Sequence, residues 1–358
     1  MRQAIARAVA AAGFGCADPG LRPAGGPGRY ASSVAFVLGE SPREIAWRLA
    51  AELGREPWIA AAEATGPGYL TVAVTRQTLT ELPERIAEAG LACATSDALR
   101  GMTLQAPPAV DLFAVATWEE AWKALTAELT ARLAAAAGAT LALPRPPAGG
   151  DGGREAPHAG GLRGVGPREL TAPGGEARAR SGEERAQPAT TCQPQATEVA
   201  AAVAYAGLDE VRFSLARSVP GHPVRIEEAK IARHVLENPA YAVRYAHARA
   251  ASGVRWAAAL GAEAGPPRPP ADPGELALLD ALSWLPERVA VAARRGRPDE
   301  FARYLEELAS ATIATLSSTS HPGSARAPGT DRLALARAAR AGLAAGLGLL
   351  GVDAPDRM

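Results

Sequence analysis

The chain has 358 residues, with 38 Lys and Arg against 38 Asp and Glu, so its formal net charge is zero. That length allows two or three domains with real cores. Aromatics make up only 5 % of the sequence and alanine supplies much of the apolar share, which favours helix because alanine loses no side-chain entropy on entering one. No charge-free apolar run of about 18–20 residues is present, so no membrane span is expected. The start, MRQAIARAVAAAG, carries Arg7 inside its apolar run and reads as an ordinary first helix, not a signal peptide. Cys16, Cys93 and Cys192 are odd in number and lack CxxC spacing, which fits neither a disulfide framework nor a zinc site. A cytoplasmic chain without metal or cofactor is the expectation.

Residues 1 to about 75 read as a small α+β unit. Ser41, Pro42 and Glu44 form a capping-box pattern with proline at the first helical position. Ile45, Leu49 and Leu53 then give one apolar stripe that ends at Gly54. Gly66-Pro67-Gly68 marks a turn, and Tyr69 to Val74 has the β-branched character of a strand. From 76 to 140 the pattern is helical, strongest after a second capping box at Thr117 and Glu120, where Trp118, Trp122, Leu125, Leu129 and Leu133 trace a stripe.

Half of the 32 positions 144–175 are Gly or Pro, and the next stretch is polar and charged without apolar period. Residues 142–195 are therefore expected to be a disordered linker, since ordering them would cost entropy with nothing to offset it. Helical pieces follow at about 197–218, 225–262, 274–296, 299–316 and 330–350, which suit an all-helical bundle over 196–358. The predicted class is mainly α: an α+β N-terminal domain with a helical extension over 1–140, the linker, and the C-terminal bundle.

Within the bundle the run from Asn238 to Arg249, NPAYAVRYAHAR, stands out. On a helix Tyr241, Tyr245 and Ala248 share one face, while Arg244, His247 and Arg255 lie on or near another. Between Arg212 and Arg255 there are eight Lys or Arg and three acidic residues, so the neutral total hides a basic segment. Arginine, histidine and tyrosine together can meet phosphates and stack on unpaired bases. A basic helix face is more often a merely solvated one.

This run resembles the signature of the DALR-type anticodon-binding domain of arginyl-tRNA synthetases, approximately NPxYYVQYAHAR. Asp209 to Leu215 (DEVRFSL) is similar to the motif that names the domain, Ala302 to Ala309 to the family's penultimate helix, and Leu349 to Met358 to its terminus. At the other end, Ala31 to Ala35, Pro42 to Ala46 and Gly66 to Leu70 resemble the additional N-terminal domain of the same synthetases. The resemblance implies D-loop contact through Tyr69, with Thr71 where the family has Asn or Gln. It implies anticodon-loop contacts from among Tyr245, His247, Arg249 and Met358, to which the basic helix face adds Arg244 and Arg255 as candidate RNA contacts.

Two departures matter. A synthetase needs a Rossmann domain with an HxGH motif for the ATP phosphates and a KMSKS loop. Here Lys123 and Lys230 are the only lysines, neither in such a loop, and His158-Ala159-Gly160-Gly161 lacks the second histidine. No catalytic residue is assigned. The anticodon-binding end also has Ala242 in place of the second tyrosine and reads Thr312 to Ser317 in place of an aromatic-rich FHxFYN-like run. The expected function is a non-catalytic, arginyl-tRNA synthetase-like protein that binds tRNA, tRNA-Arg first, with no membrane involved. The alternatives are an interaction module for a synthetase or another protein, and ligase activity only with a separate catalytic subunit.

Overall fold

A computed structural model describes residues 1–15, 17–142, 197–263, 269–270, 272–317 and 330–358, with side chains in the last stretch from Arg332 onward. The expected linker, with His158 and Cys192, lies outside the described residues except for Ala142, which is the last residue of a strand; Cys16 lies outside them too.

The N-terminal part begins with α1 (Arg2–Ala11), whose buried Ala4, Ile5, Ala8 and Val9 repeat at helical spacing. Strands β1 (Leu21–Pro23) and β2 (Arg29–Ser32), helices α2 (Ala35–Leu38) and α3 (Pro42–Leu53), and strands β3 (Ile59–Thr65) and β4 (Tyr69–Val74) follow. The strands form one antiparallel sheet in the order β1-β2-β4-β3. Ile45, Leu49 and Leu53 of α3 pack in its core with Leu70 and Val72 of β4, as the stripe and the strand pattern predict. The Ser41 capping box does not form: the side chain accepts no cap bond, and Glu44 N–H goes instead to the Ser41 carbonyl at 3.1 Å.

Next come α4 (Arg76–Ala89), a 3₁₀ turn at Gly90–Ala94, β5 (Thr103–Gln105), α5 (Trp118–Ala136) and β6 (Thr140–Ala142). Thr117 and Glu120 make the reciprocal capping box, each bond 3.3 Å. Strands β5 and β6 pair in parallel on either side of α5 in sequence; at three residues each they leave no periodic trace.

The C-terminal part holds α6 (Glu198–Ala206), α7 (Leu208–Arg217), α8 (Glu228–Ile231), α9 (Pro239–Ala259), α10 (Pro273–Arg295), α11 (Pro298–Ser317) and α12 (Thr330–Leu350). The expected 197–218 helix is broken at Gly207, which takes φ +105°, a conformation that glycine adopts without steric cost. The expected 225–262 helix is two helices. Pro239 starts the second, because proline lacks the N–H an interior position needs but suits the first turn.

One apolar core runs from Ile86 to Ala137 and on through Val199 to Val352, so α5 packs with the bundle helices. Trp118 is buried in it, and Trp122 donates its indole N–H to the Ser218 carbonyl at 3.3 Å. The sheet part docks on α10. Arg2 reaches Glu287 through Nε at 3.0 Å and Nη2 at 2.5 Å, Arg294 meets Asp18 at 2.6 Å, and the Tyr30 and Trp284 rings lie 5.1 Å apart. Helix α12 is, among the described residues, the one helix long and apolar enough to cross a membrane. It carries Arg337 and Arg340 within that length, and Leu335, Ala338, Ala339, Leu343 and Leu347 sit in the bundle core.

Candidate nucleic-acid interface

Helix α9 divides its residues between two environments. Ala240, Val243, Ala246, His247, Ala250 and Ala251 are buried, where small side chains let neighbouring helices approach closely. Tyr241, Tyr245 and Arg249, four residues apart, form a stripe outside that core, with Arg249 exposed and the tyrosines half-buried. The tyrosine rings are 5.8 Å apart and 16° from parallel.

The second face expected to meet RNA turns inward. Arg244 is held by Asp209 at 3.3 Å and by a close contact to Glu210, with all three side chains no more than 20 % exposed. Its charge is compensated inside the fold by the first two residues of the DEVRFSL motif. Arg212 of the same motif is also buried. It donates Nε to the Leu350 carbonyl at 2.8 Å and pairs closely with Glu128 of α5.

The remaining candidates converge on the end of the chain. Helix α12 stops at Gly351, φ +69°, with Val352 N–H returning to the Leu347 carbonyl at 3.0 Å; this is the Schellman arrangement that satisfies a helix end. A Cβ at Gly351 would lie 2.5 Å from Arg212 Nε and 2.6 Å from Arg132 Nη1, so the position needs both the backbone freedom and the empty space. Asp209 then accepts from Asp353 N–H at 3.2 Å. His247, 2 % exposed, donates Nδ1–H to the Pro355 carbonyl at 2.9 Å. Arg255 donates to the Asp356 carbonyl at 2.6 Å, and Arg340 grips the Asp356 carboxylate with both contacts at 3.1 Å. Burial lowers the His247 pKa and outweighs the Pro355 hydrogen bond and the nearby Asp356 and Asp353, which pull it up. The histidine is thus a neutral clamp on residues 353–358, at whose end Met358 is exposed.

Tyr69 lies apart on β4, 44 % exposed, with its ring 4.9 Å from Phe36. Thr71, two residues on, spends its hydroxyl on Thr65 at 3.1 Å. Four of the seven named residues, Tyr69, Tyr245, Arg249 and Met358, therefore face or border solvent as independent groups. Arg244, His247 and Arg255 instead hold other parts of the protein in place.

One group escaped the sequence reading. His234, exposed in the turn before α9, stacks on Tyr241 with centroids 5.4 Å apart and planes 13° from parallel. Its sign in the sequence was weak: Asn238-Pro239 starts the helix after His234, so helical spacing says nothing of its place beside Tyr241, and only the turn folds it back.

Comparison with known proteins agrees with this architecture. Residues 243–358 match the DALR anticodon binding domain. The arginine–tRNA ligase of Kineococcus radiotolerans is 40 % identical over 159 residues, 42 % of this chain and 29 % of that protein. That of Frankia alni is 39 % identical over 160 residues, again 42 % and 29 %. The chain thus spans under a third of the length of the curated relatives it matches. The solved arginyl-tRNA synthetase of Thermus thermophilus aligns with a TM-score of 0.62 at 16 % identity, covering 100 % of this chain and 99 % of that one, a likeness of fold. The C-terminal part of the chain therefore carries a DALR-type anticodon-binding fold. Its curated relatives are arginine–tRNA ligases.

Proposed function

We propose that the chain is a non-catalytic tRNA-binding protein of arginyl-tRNA synthetase-like architecture, with tRNA-Arg as its preferred partner. The α9 stripe of Tyr241, Tyr245 and Arg249, lying across the start of the matched domain, is the observation that carries this reading. Unpaired bases of an anticodon loop stack on the rings, and Arg249, which has no ion pair among the described residues, takes a phosphate. Met358, presented by the clamped terminus, makes a further contact. On the N-terminal side the Tyr69–Phe36 pair offers an aromatic surface to the D-loop.

Filter or fluorescence binding to tRNA-Arg, with an unrelated tRNA as competitor and at two salt concentrations, tests it. Submicromolar affinity that prefers tRNA-Arg is expected. Arg249→Ala should weaken binding and lower the log–log salt slope by about 1, because one phosphate contact is lost. Binding no better than nonspecific and lost at physiological salt would refute the assignment.

A protein-interaction role draws on a different observation: Val37 of α2 and Trp47 of α3 are 71 % and 70 % exposed, and Phe36 is 40 % exposed. The tryptophans of α5 do not support it, since both are engaged within the fold. Co-purification with a defined protein and without RNA, abolished by Trp47→Ala, would support that second reading.

A further inference from the structure

Three rings form a ladder at the start of α9: His234, Tyr241 and Tyr245, with successive centroids 5.4 and 5.8 Å apart and planes within 13° and 16° of parallel. The two tyrosines are half-buried, whereas His234 at the open end is exposed. Tyr241 stands offset against one side of the imidazole, and the exposed His234 has no second ring partner among the described residues. A flat aromatic surface left open at the end of a near-parallel stack is the shape onto which one more flat ring fits.

The surroundings say which kind of ring. Arg233 is the neighbouring residue, exposed and without an ion pair among the described residues. A hollow of about 220 Å³, whose lining includes Ile231 and Pro239 on either side of His234 in sequence, presents Arg217, Arg225 and Lys230 against the single acid Glu227. Arg217 and Lys230 are paired with Glu306 and Glu227 at 2.5 and 2.7 Å, but Arg225 is exposed and unpaired among the described residues. Flat π-faces beside free guanidinium groups suit a base that carries its own phosphate, because stacking tolerates any base and the cations track the backbone.

We infer that His234 is a base-stacking residue: it receives one unpaired nucleobase of a bound RNA on its open face and extends the tyrosine ladder by one ring, while Arg225 and Arg233 meet the adjoining phosphates. This deepens the tRNA-binding reading and rests on it. The ligand class is a single-stranded RNA segment, such as a hairpin loop, and the contact carries no base identity by itself.

The test uses the full chain and an RNA stem-loop with the anticodon-loop sequence of tRNA-Arg, carrying 2-aminopurine at one loop position at a time. Stacking quenches the fluorescence of that base, so one position should be quenched on binding. His234→Ala should raise Kd by about 5- to 150-fold, the usual loss for one base–aromatic stack, and abolish the quenching at that position. His234→Phe, which keeps the ring and discards the nitrogens, should restore both. Because residue 234 is exposed, neither variant should alter the fold, and unchanged circular dichroism would verify this. Wild-type affinity and quenching in His234→Ala would overturn the inference, as would failure of the Phe variant to rescue. Loss of binding in Tyr245→Ala and Arg249→Ala with no effect at 234 would overturn this inference and leave the tRNA-binding reading standing. Absence of any RNA binding by the wild-type chain would overturn both.

Discussion

The contact between Glu128 of α5 and Arg212 of α7 joins halves of the chain that flank residues 143–196, and its removal has a calculable effect. The two side chains are 12 % and 9 % exposed. Glu128 also accepts from Val110 N–H at 2.9 Å and from Arg132 at 3.2 Å, while Arg212 keeps the Leu350 carbonyl at 2.8 Å. In Glu128→Ala the Arg212 guanidinium would stay buried with a single neutral acceptor, and breaking a buried pair in this way costs about 3–5 kcal/mol. Glu128→Gln preserves volume and an acceptor for Val110 N–H but not the charge, and should cost about 1.5–3 kcal/mol, the worth of a hydrogen bond to a charged group. In a fold of this size each kcal/mol moves the thermal midpoint by roughly 2 °C, so about 6–10 °C is expected for the alanine variant by circular dichroism. Glu119→Ala is the internal control: its pair with Lys123 on the same helix is 71 % and 64 % exposed, and its midpoint should match the wild type. Equal midpoints for Glu128→Ala and Glu119→Ala would refute the account of Arg212 as a buried charge held by α5. The same contact predicts acid sensitivity. Burial alone would raise the Glu128 carboxyl, but Val110 N–H, Arg212 and Arg132 together hold it below its ordinary value. A depressed carboxylate stabilises the fold above the unfolded pKa and loses that contribution as pH falls through about 4.3 and below.

Gly351→Ala combines a left-handed backbone with a Cβ 2.5 Å from Arg212 Nε; a loss of at least about 1–2 kcal/mol from the backbone alone is expected in urea denaturation, and an unchanged midpoint would contradict it. The depressed pKa of buried His247 stabilises the neutral form, so its contribution is present above the ordinary value of about 6.5 and lost as pH drops below it. His247→Gln should accordingly flatten the difference in urea midpoint between pH 7.5 and 5.5, and should speed tryptic release of Met358 at Arg357. Halving the 145–195 segment should leave tRNA affinity unchanged. Were that segment a tether that sets effective concentration, the −3/2 power dependence on length would tighten binding about threefold.

The parts of this fold that the sequence displays are those set by local chemistry. Thr117 and Glu120 cap α5 because both partners lie within one turn, and Ile45, Leu49 and Leu53 are buried because a single helix face decides their fate. Where the outcome depends on distant chain, the pattern was silent. Arg244 and Arg249 look alike on α9, and only Asp209 and Glu210, brought alongside by α7, separate the pinned arginine from the free one. His247 and Arg255 look unengaged on α9 until the Pro355 and Asp356 carbonyls are brought against them. The docking of the sheet on α10 rests on Arg2 and Glu287, which are 285 positions apart, and no window of sequence relates them.

That docking changes how two RNA contacts could cooperate. Tyr69 and α9 belong to one compact unit of the described residues, with Arg2–Glu287, Asp18–Arg294 and Tyr30–Trp284 at the junction. In a tethered pair, the first contact leaves the second free to search, and linker length sets the gain. In a single body the second contact needs no search, so little further entropy is lost when it forms. The same docking makes the gain conditional, because avidity is lost when geometry forbids both contacts at once. An RNA whose two contact points match the fixed distance from β4 to α9 gains from both, and any other engages one end alone. On the proposed reading that geometry separates a folded tRNA from other RNAs, and the stripe of tyrosines, arginine and imidazole grips the loop by stacking and charge.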